Sequence, residues 1–344
     1  MRIKKKTARV IVVVIVGLVG TAFAARQVSA APATGRVPGL SRSHNSTVRF
    51  WTNARVAKAN ARAFTRSARS GRFAQMTRRA TDWYNLGSQW TDGGDVTKNV
   101  GRVFFEMGGQ YWTCSASAVT DTKTDRSVVL TAAHCAYDES GRYGFARRWM
   151  FVPAYSTLPA RFDPDGLFCT ATSLGCWTAQ ALVVSNEYAS AGSFNETAVL
   201  HDYAFAVVGA GGKSGVQLDS VVTPNQASWT ERSAMDDTYL FGYPAAGRYK
   251  GSTLLYCHGP LEYDSRMDWQ TYRVRCSMTG GSSGGPWFSP FDSSGTGAGS
   301  GVVMSVNSYG YGGTKAMYGP ILGAETAAMF GVAQTATANT LVNP

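Results

Sequence analysis

No aspartate or glutamate occurs before Asp82. The first 100 residues carry 18 Lys/Arg against three acids, whereas residues 101–344 carry 15 against 19. The net charge of +11 therefore belongs to the front of the chain. The remainder lacks the basic balance that nucleic-acid binding would require, and no nucleic-acid partner is expected. Histidine is scarce too: only His44, His134, His201 and His258 are present. No C-x-x-C pair occurs, which argues against a structural zinc site, and no acidic loop has calcium-ligand spacing. No metal and no cofactor is expected. All six cysteines lie between Cys114 and Cys276, an even set that suits disulfides in an oxidising compartment.

The apolar run Val10–Ala25 has 16 residues, short of the roughly 20 that a membrane span needs. It follows Arg2, Lys4, Lys5, Lys6 and Arg9 and precedes the small residues Val28-Ser29-Ala30. That order describes a secretory signal peptide over residues 1–30. A secreted protein with no stable membrane insertion after signal removal is expected; a retained anchor is the alternative.

Residues 31–95 form a basic stretch with few apolar anchors (Trp51, Phe64, Phe73, Met76) and look unable to fold alone. A propeptide, a disordered arm and a surface tether all fit, and its place after a signal peptide favours the propeptide. Asn53 to Arg79 could form a basic helix. From Val100 onward, short β-rich runs alternate with Gly, Pro, Asp, Asn and Ser, which argues an all-β sandwich or barrel. The reading is one domain over 96–335, with a short helix at Ala324–Gln334 and a loose tail over 336–344.

The candidate chemistry centres on Gly280-Gly281-Ser282-Ser283-Gly284-Gly285-Pro286. A serine on a glycine-rich turn suits nucleophilic attack, and neighbouring N–H groups can hold the resulting oxyanion. A plain Gly/Ser linker is the bland alternative, but apolar strand-like segments flank this stretch. Upstream, Ser127–Thr131 leads into His134, and Asp202 precedes the apolar run Ala204–Val208. A carboxylate against a buried strand needs a partner, and His134 is the candidate. The order His134, Asp202, Ser283 excludes the α/β-hydrolase reading of Gly281-Ser-Ser283-Gly-Gly285, because no histidine follows Ser283.

These motifs resemble the chymotrypsin/trypsin-like serine peptidases, whose triad is a standard template. Leu130-Thr-Ala-Ala-His134-Cys135, Asp202-Tyr-Ala-Phe-Ala-Val and Ser283-Gly-Gly-Pro286 carry the likeness over about residues 98–333. In style it is nearest the secreted bacterial branch that includes glutamyl endopeptidases. The resemblance implies two antiparallel six-stranded β-barrels with the site in the cleft between them. It implies Ser283 as nucleophile, His134 as base, Asp202 as orienting acid, and Gly281 and Ser283 as oxyanion donors. It also implies a Cys114–Cys135 bridge, after which Cys169–Cys176 and Cys257–Cys276 are the natural remaining pairs.

A substrate pocket would be lined by Cys276–Thr279 and Ser305–Asn307, with Ser277 at its base and Ser305 as the strand serine. No acid lies there and Met304 precedes Ser305, so an uncharged residue before the cut is expected. Ser282 stands where the animal enzymes place an activation aspartate, and the Ile/Val-Val-Gly-Gly start is missing. The residues that the animal activation route uses are therefore absent. The expected function is a secreted serine endopeptidase, monomeric, acting on protein or peptide. A catalytically silent binding module and a non-peptide esterase on the same fold are the alternatives.

Overall fold

Near-continuous apolar runs such as Ser127–Thr131 and Ala204–Val208 suit strands buried on both faces. The chain uses them to close a barrel. The computed structural model describes residues 40–67, 73–75, 87–157, 166–294 and 299–343. The signal peptide assigned to 1–30 lies outside the described residues. Helix α1 (Arg42–Phe50) is followed by two short strands, β1 (Asn60–Ala61) and β2 (Phe64–Arg66). The first barrel comprises β3 (Val100–Met107), β4 (Gln110–Val119), β5 (Ser127–Thr131), β6 (Arg147–Pro153), β7 (Trp177–Ser185) and β8 (Ala204–Val208). Its order is β4-β3-β6-β7-β8-β5, and β5 pairs back with β4, so the sheet closes on itself with no free edge. Every neighbouring pair is antiparallel.

The second half contains β9 (Asp237–Gly242), β10 (Leu255–Pro260), β11 (Thr271–Arg275), β12 (Pro286–Asp292), β13 (Ser300–Val306), β14 (Tyr309–Tyr311) and β15 (Ala316–Pro320). One sheet runs β13-β12-β9-β10; the other runs β11-β15-β14 and continues into β2. Leu240, Leu255 and Trp287 from the first sheet share one buried cluster with Tyr272, Val274 and Met317 from the second. The Cys257–Cys276 disulfide joins the two. The Cys114–Cys135 and Cys169–Cys176 bridges also form. Helix α2 (Ala324–Ala333) buries Met329 and sets Phe330 5.3 Å from Phe205 on the first barrel. The all-β two-barrel expectation with a C-terminal helix thus holds. Among the described residues, no helix is long and apolar enough to cross a membrane.

Three parts differ from the sequence expectation. The basic helix over Asn53–Arg79 is only one turn, Asn53–Ala57, capped by Thr52. Beyond it the chain extends, because Arg62 and Phe64 find partners on the barrel that a helix could not reach. The segment is not free of the domain: Trp51 is fully buried and its indole N–H donates to the Arg148 carbonyl at 2.8 Å. The packed structure also starts before residue 96, since Trp90 sits edge-on to Phe241 and Tyr256. Nor is the tail loose: Thr340–Val342 pairs in parallel with β7.

Candidate active site

β5 is buried at all five positions and ends in the short 3₁₀ turn Ala133–Cys135. Ala132 and Ala133 are small enough to let that turn pack against the barrel. The disulfide to Cys114 closes a 21-residue separation, worth about 3 kcal/mol by loop entropy. His134 is thereby fixed, with no exposed surface. Its backbone N–H donates to Asp202 Oδ1 at 2.9 Å, and Nδ1 lies 2.8 Å from Asp202 Oδ2. With the carboxylate ionised, Nδ1 donates and Nε2 keeps its lone pair. Among the described residues, Nε2 is a buried nitrogen with no hydrogen-bond partner. Asp202 is itself fully buried, between the turn Glu196–Leu200 and β8. Its charge is offset by both donors of His134 and by the Ser308 hydroxyl, which donates to Oδ2.

The serine loop is held from behind. Ser115 N–H donates to the Ser283 carbonyl at 2.7 Å, and Cys135 Sγ lies 3.9 Å from that oxygen. Ser283 is thus tied to the His134 turn. The Gly280 carbonyl accepts from Ala245 and Ala246 N–H at 2.7 and 3.1 Å. The Ser282 carbonyl accepts from Gly285 N–H at 2.9 Å and Asn307 Nδ2 at 3.0 Å. A trans peptide points its N–H opposite its C=O, so both clamps turn the N–H groups of Gly281 and Ser283 outward, and neither has an acceptor among the described residues. Such preset donors are what an oxyanion needs. Gly281 sits at φ +97°, and a Cβ on Gly284 would fall 2.1 Å from Thr131 Oγ1. Both positions therefore require glycine. Ser282 turns away and donates from Oγ to the Thr279 carbonyl at 2.8 Å.

The proposed substrate residues fare differently. Ser305 is fully buried, and its hydroxyl donates to the Pro320 carbonyl at 2.7 Å. It therefore lines no open pocket. The strand serine that meets Asp202 is Ser308, three positions later. Sequence reading took Ser305 as the strand serine and missed Ser308, whose role shows in its contact with Asp202, 106 residues away. The available signal was position: Ser308 lies just past the end of β13, as His134 and Asp202 lie at strand ends. Ser277 is partly exposed, and its Oγ has no partner among the described residues. The other histidines are engaged elsewhere. His44 is 3.0 Å from Thr178 Oγ1, with its pKa lowered to about 4 by burial. His201 faces Glu325 and His258 faces Asp237. The Cys114 and Cys135 sulfurs near His134 are consumed in a disulfide, so they offer no metal ligand.

The N-terminal segment crosses this site. β1 pairs in parallel with Trp112–Thr113 of β4, and β2 pairs in parallel with β14. Between them the Ala61 and Ala63 methyls approach Gly280, where an added Cβ would lie 3.3 and 3.1 Å from them. Phe64 stands edge-on to the His134 ring at 5.3 Å and stacks on Phe194 at 3.9 Å. Tyr309 and Tyr311 brace β14 from below by donating to the buried Asp264 carboxylate at 2.9 and 2.6 Å. Burial, with that carboxylate, holds the Tyr311 hydroxyl above its ordinary pKa, so it stays a donor.

A closed β-barrel joined to a second β half, with serine, histidine and buried aspartate between them, defines a serine-hydrolase architecture. No family model and no curated protein matches the chain. Solved structures do. A thermostable serine protease from an extremophilic microorganism is 34% identical, with a TM-score of 0.56, over 70% of this chain and 98% of its own. The protease Anisep from Arthrobacter nicotinovorans is 33% identical, also with a TM-score of 0.56, over 70% and 96%. A Glu endopeptidase shares the fold at 13% identity and a TM-score of 0.50, over 73% and 99%. The chain belongs to the chymotrypsin-like serine proteases; it is a serine endopeptidase.

Proposed function

We propose that the chain is a secreted preproprotein whose mature form cleaves peptide bonds through an acyl-enzyme on Ser283. The observation that carries this is the state of His134. Asp202 takes both of its N–H groups and leaves Nε2 as the unpartnered ring nitrogen. In the reaction, Ser283 Oγ adds to the scissile carbonyl carbon and gives its proton to Nε2. The oxyanion is received by the N–H groups of Gly281 and Ser283. Nε2 then passes the proton to the leaving amine as the C–N bond breaks. Water repeats the sequence on the ester and restores Ser283. The test is fluorophosphonate labelling of the mature protein alongside hydrolysis of a peptide library. Labelling with cleavage is expected; a folded mature form that neither labels nor cleaves refutes the reading.

The similar proteases span 70% of this chain, about 240 residues, the length of 96–335. Three disulfides also suit an extracellular enzyme. The covering of His134 by Phe64 supports removal of the front segment as the activating step. The active secreted form is expected to begin between Arg66 and Lys98, well below the encoded 36.8 kDa. N-terminal sequencing checks this, and an active form beginning at Ala31 would rule out a removable propeptide. The residue before Ser308 is Asn307, whose amide is used by Phe241, Ser282 and Trp287. No charge is offered there, in keeping with an uncharged residue before the cut rather than a glutamyl preference.

A further inference from the structure

Arg62 of the front segment enters the cleft beside the His134 turn, and only 4% of it is exposed. Its backbone N–H donates to the Thr113 carbonyl at 3.1 Å. Its Nε donates to the His134 carbonyl at 2.6 Å. The same guanidinium pairs with Glu139 and lies 3.8 Å from Asp138 Oδ1. Its flat faces meet aromatic rings, with Trp112 at 5.3 Å and Phe64 at 5.5 Å to the centroids. A carboxylate, a carbonyl and an aromatic wall grouped in this way match the planar fork of a guanidinium.

Of these groups, only Phe64 belongs to the front segment. Glu139, Asp138, the His134 carbonyl and Trp112 stay with the enzyme when that segment leaves. Asp138 retains the Ser140 hydroxyl and the Tyr143 N–H as donors. Glu139, whose side chain is 17% exposed, has no other donor among the described residues. Departure of Arg62 therefore leaves a half-buried carboxylate and a carbonyl without their cation, and such a site favours refilling by one.

We infer that Glu139 and Asp138 form a subsite for an arginine or lysine side chain of the peptide substrate, on the leaving-group side of the scissile bond, and that Arg62 is its occupant in the uncut chain. This rests on the triad reading above. The side follows from it: His134 must reach the leaving amine, so the departing half of the peptide runs past the His134 turn, which builds this subsite. The expected uncharged residue before the cut concerns the opposite wall, at Ser277.

The experiment is a positional peptide library cut by the mature protein, varied at four positions on each side of the bond. Arg at one position after the cut is expected to exceed Gln in kcat/KM by about tenfold or more, with Lys between. Glu139→Gln should lower the Arg/Gln ratio to near one, and Glu139→Lys should shift the preference to Glu at that same position. In the uncut chain, Arg62→Gln should raise the rate of fluorophosphonate labelling about tenfold by loosening the cover. Equal rates for Arg and Gln at every position after the cut would overturn the subsite while leaving the peptidase intact. A ratio unmoved by Glu139→Lys would overturn the assignment to Glu139. A mature protein that cuts no peptide would strike the proposed function instead.

Discussion

Ser283→Ala is expected to abolish fluorophosphonate labelling and to lower kcat about 10⁶-fold, as removal of a nucleophile does where the triad acts as a unit. The neighbouring hydroxyl cannot take over. Ser282 Oγ is committed to the Thr279 carbonyl and only 1% of the residue is exposed. Its peptide carbonyl also receives Asn307, which locks the loop in this orientation. Ser282→Ala should therefore keep the label and lose roughly tenfold at most, the scale of one neutral hydrogen bond. Mass-spectrometric mapping of the adduct in both variants decides the matter. An adduct on Ser282, or a live Ser283→Ala beside a dead Ser282→Ala, would reverse the assignment.

Asp202→Asn is expected to lower kcat by about 10⁴ with KM nearly unchanged, in the manner of the family template. Three donors converge on Asp202: the His134 N–H, the His134 ring and the Ser308 hydroxyl. An amide offers one acceptor oxygen and one NH₂. If the NH₂ faces Nδ1, that nitrogen must become the acceptor, and the proton moves to Nε2. The base then has no lone pair for Ser283. If the NH₂ faces the His134 backbone, two donors oppose each other and the turn shifts. Steady-state kinetics separate the outcomes: a raised KM with intact kcat would make Asp202 a structural support only.

Much of this was legible in the chain itself. The strand Val100–Met107 and the core strands Ser127–Thr131 and Ala204–Val208 lie where their apolar runs stand. The His134–Asp202 contact was readable because each residue flanks such a run and carries the polar group that the run lacks. Ser308 was not, since its identity depends on contact with Asp202, 106 residues away. The front segment was illegible for a related reason. Its extended form is stabilised by partners such as Glu139, 77 residues from Arg62, and nothing in its local composition announces them. The tail is similar: Asn339 and Thr340–Val342 are ordered by β7, more than 150 residues earlier.

The burial of Trp51 has a bearing on timing. The proposed cut between Arg66 and Lys98 would sever a tether without itself undoing the contact, since Val48, Trp51 and Phe64 are buried upstream of it. Before the cut, the covering strand is a neighbour at an effective concentration on the order of millimolar. After it, the strand is a ligand that must dissociate, and its occupancy follows the concentration of the surroundings. If the front segment is the propeptide proposed above, proteolysis would license the enzyme and dilution would start it.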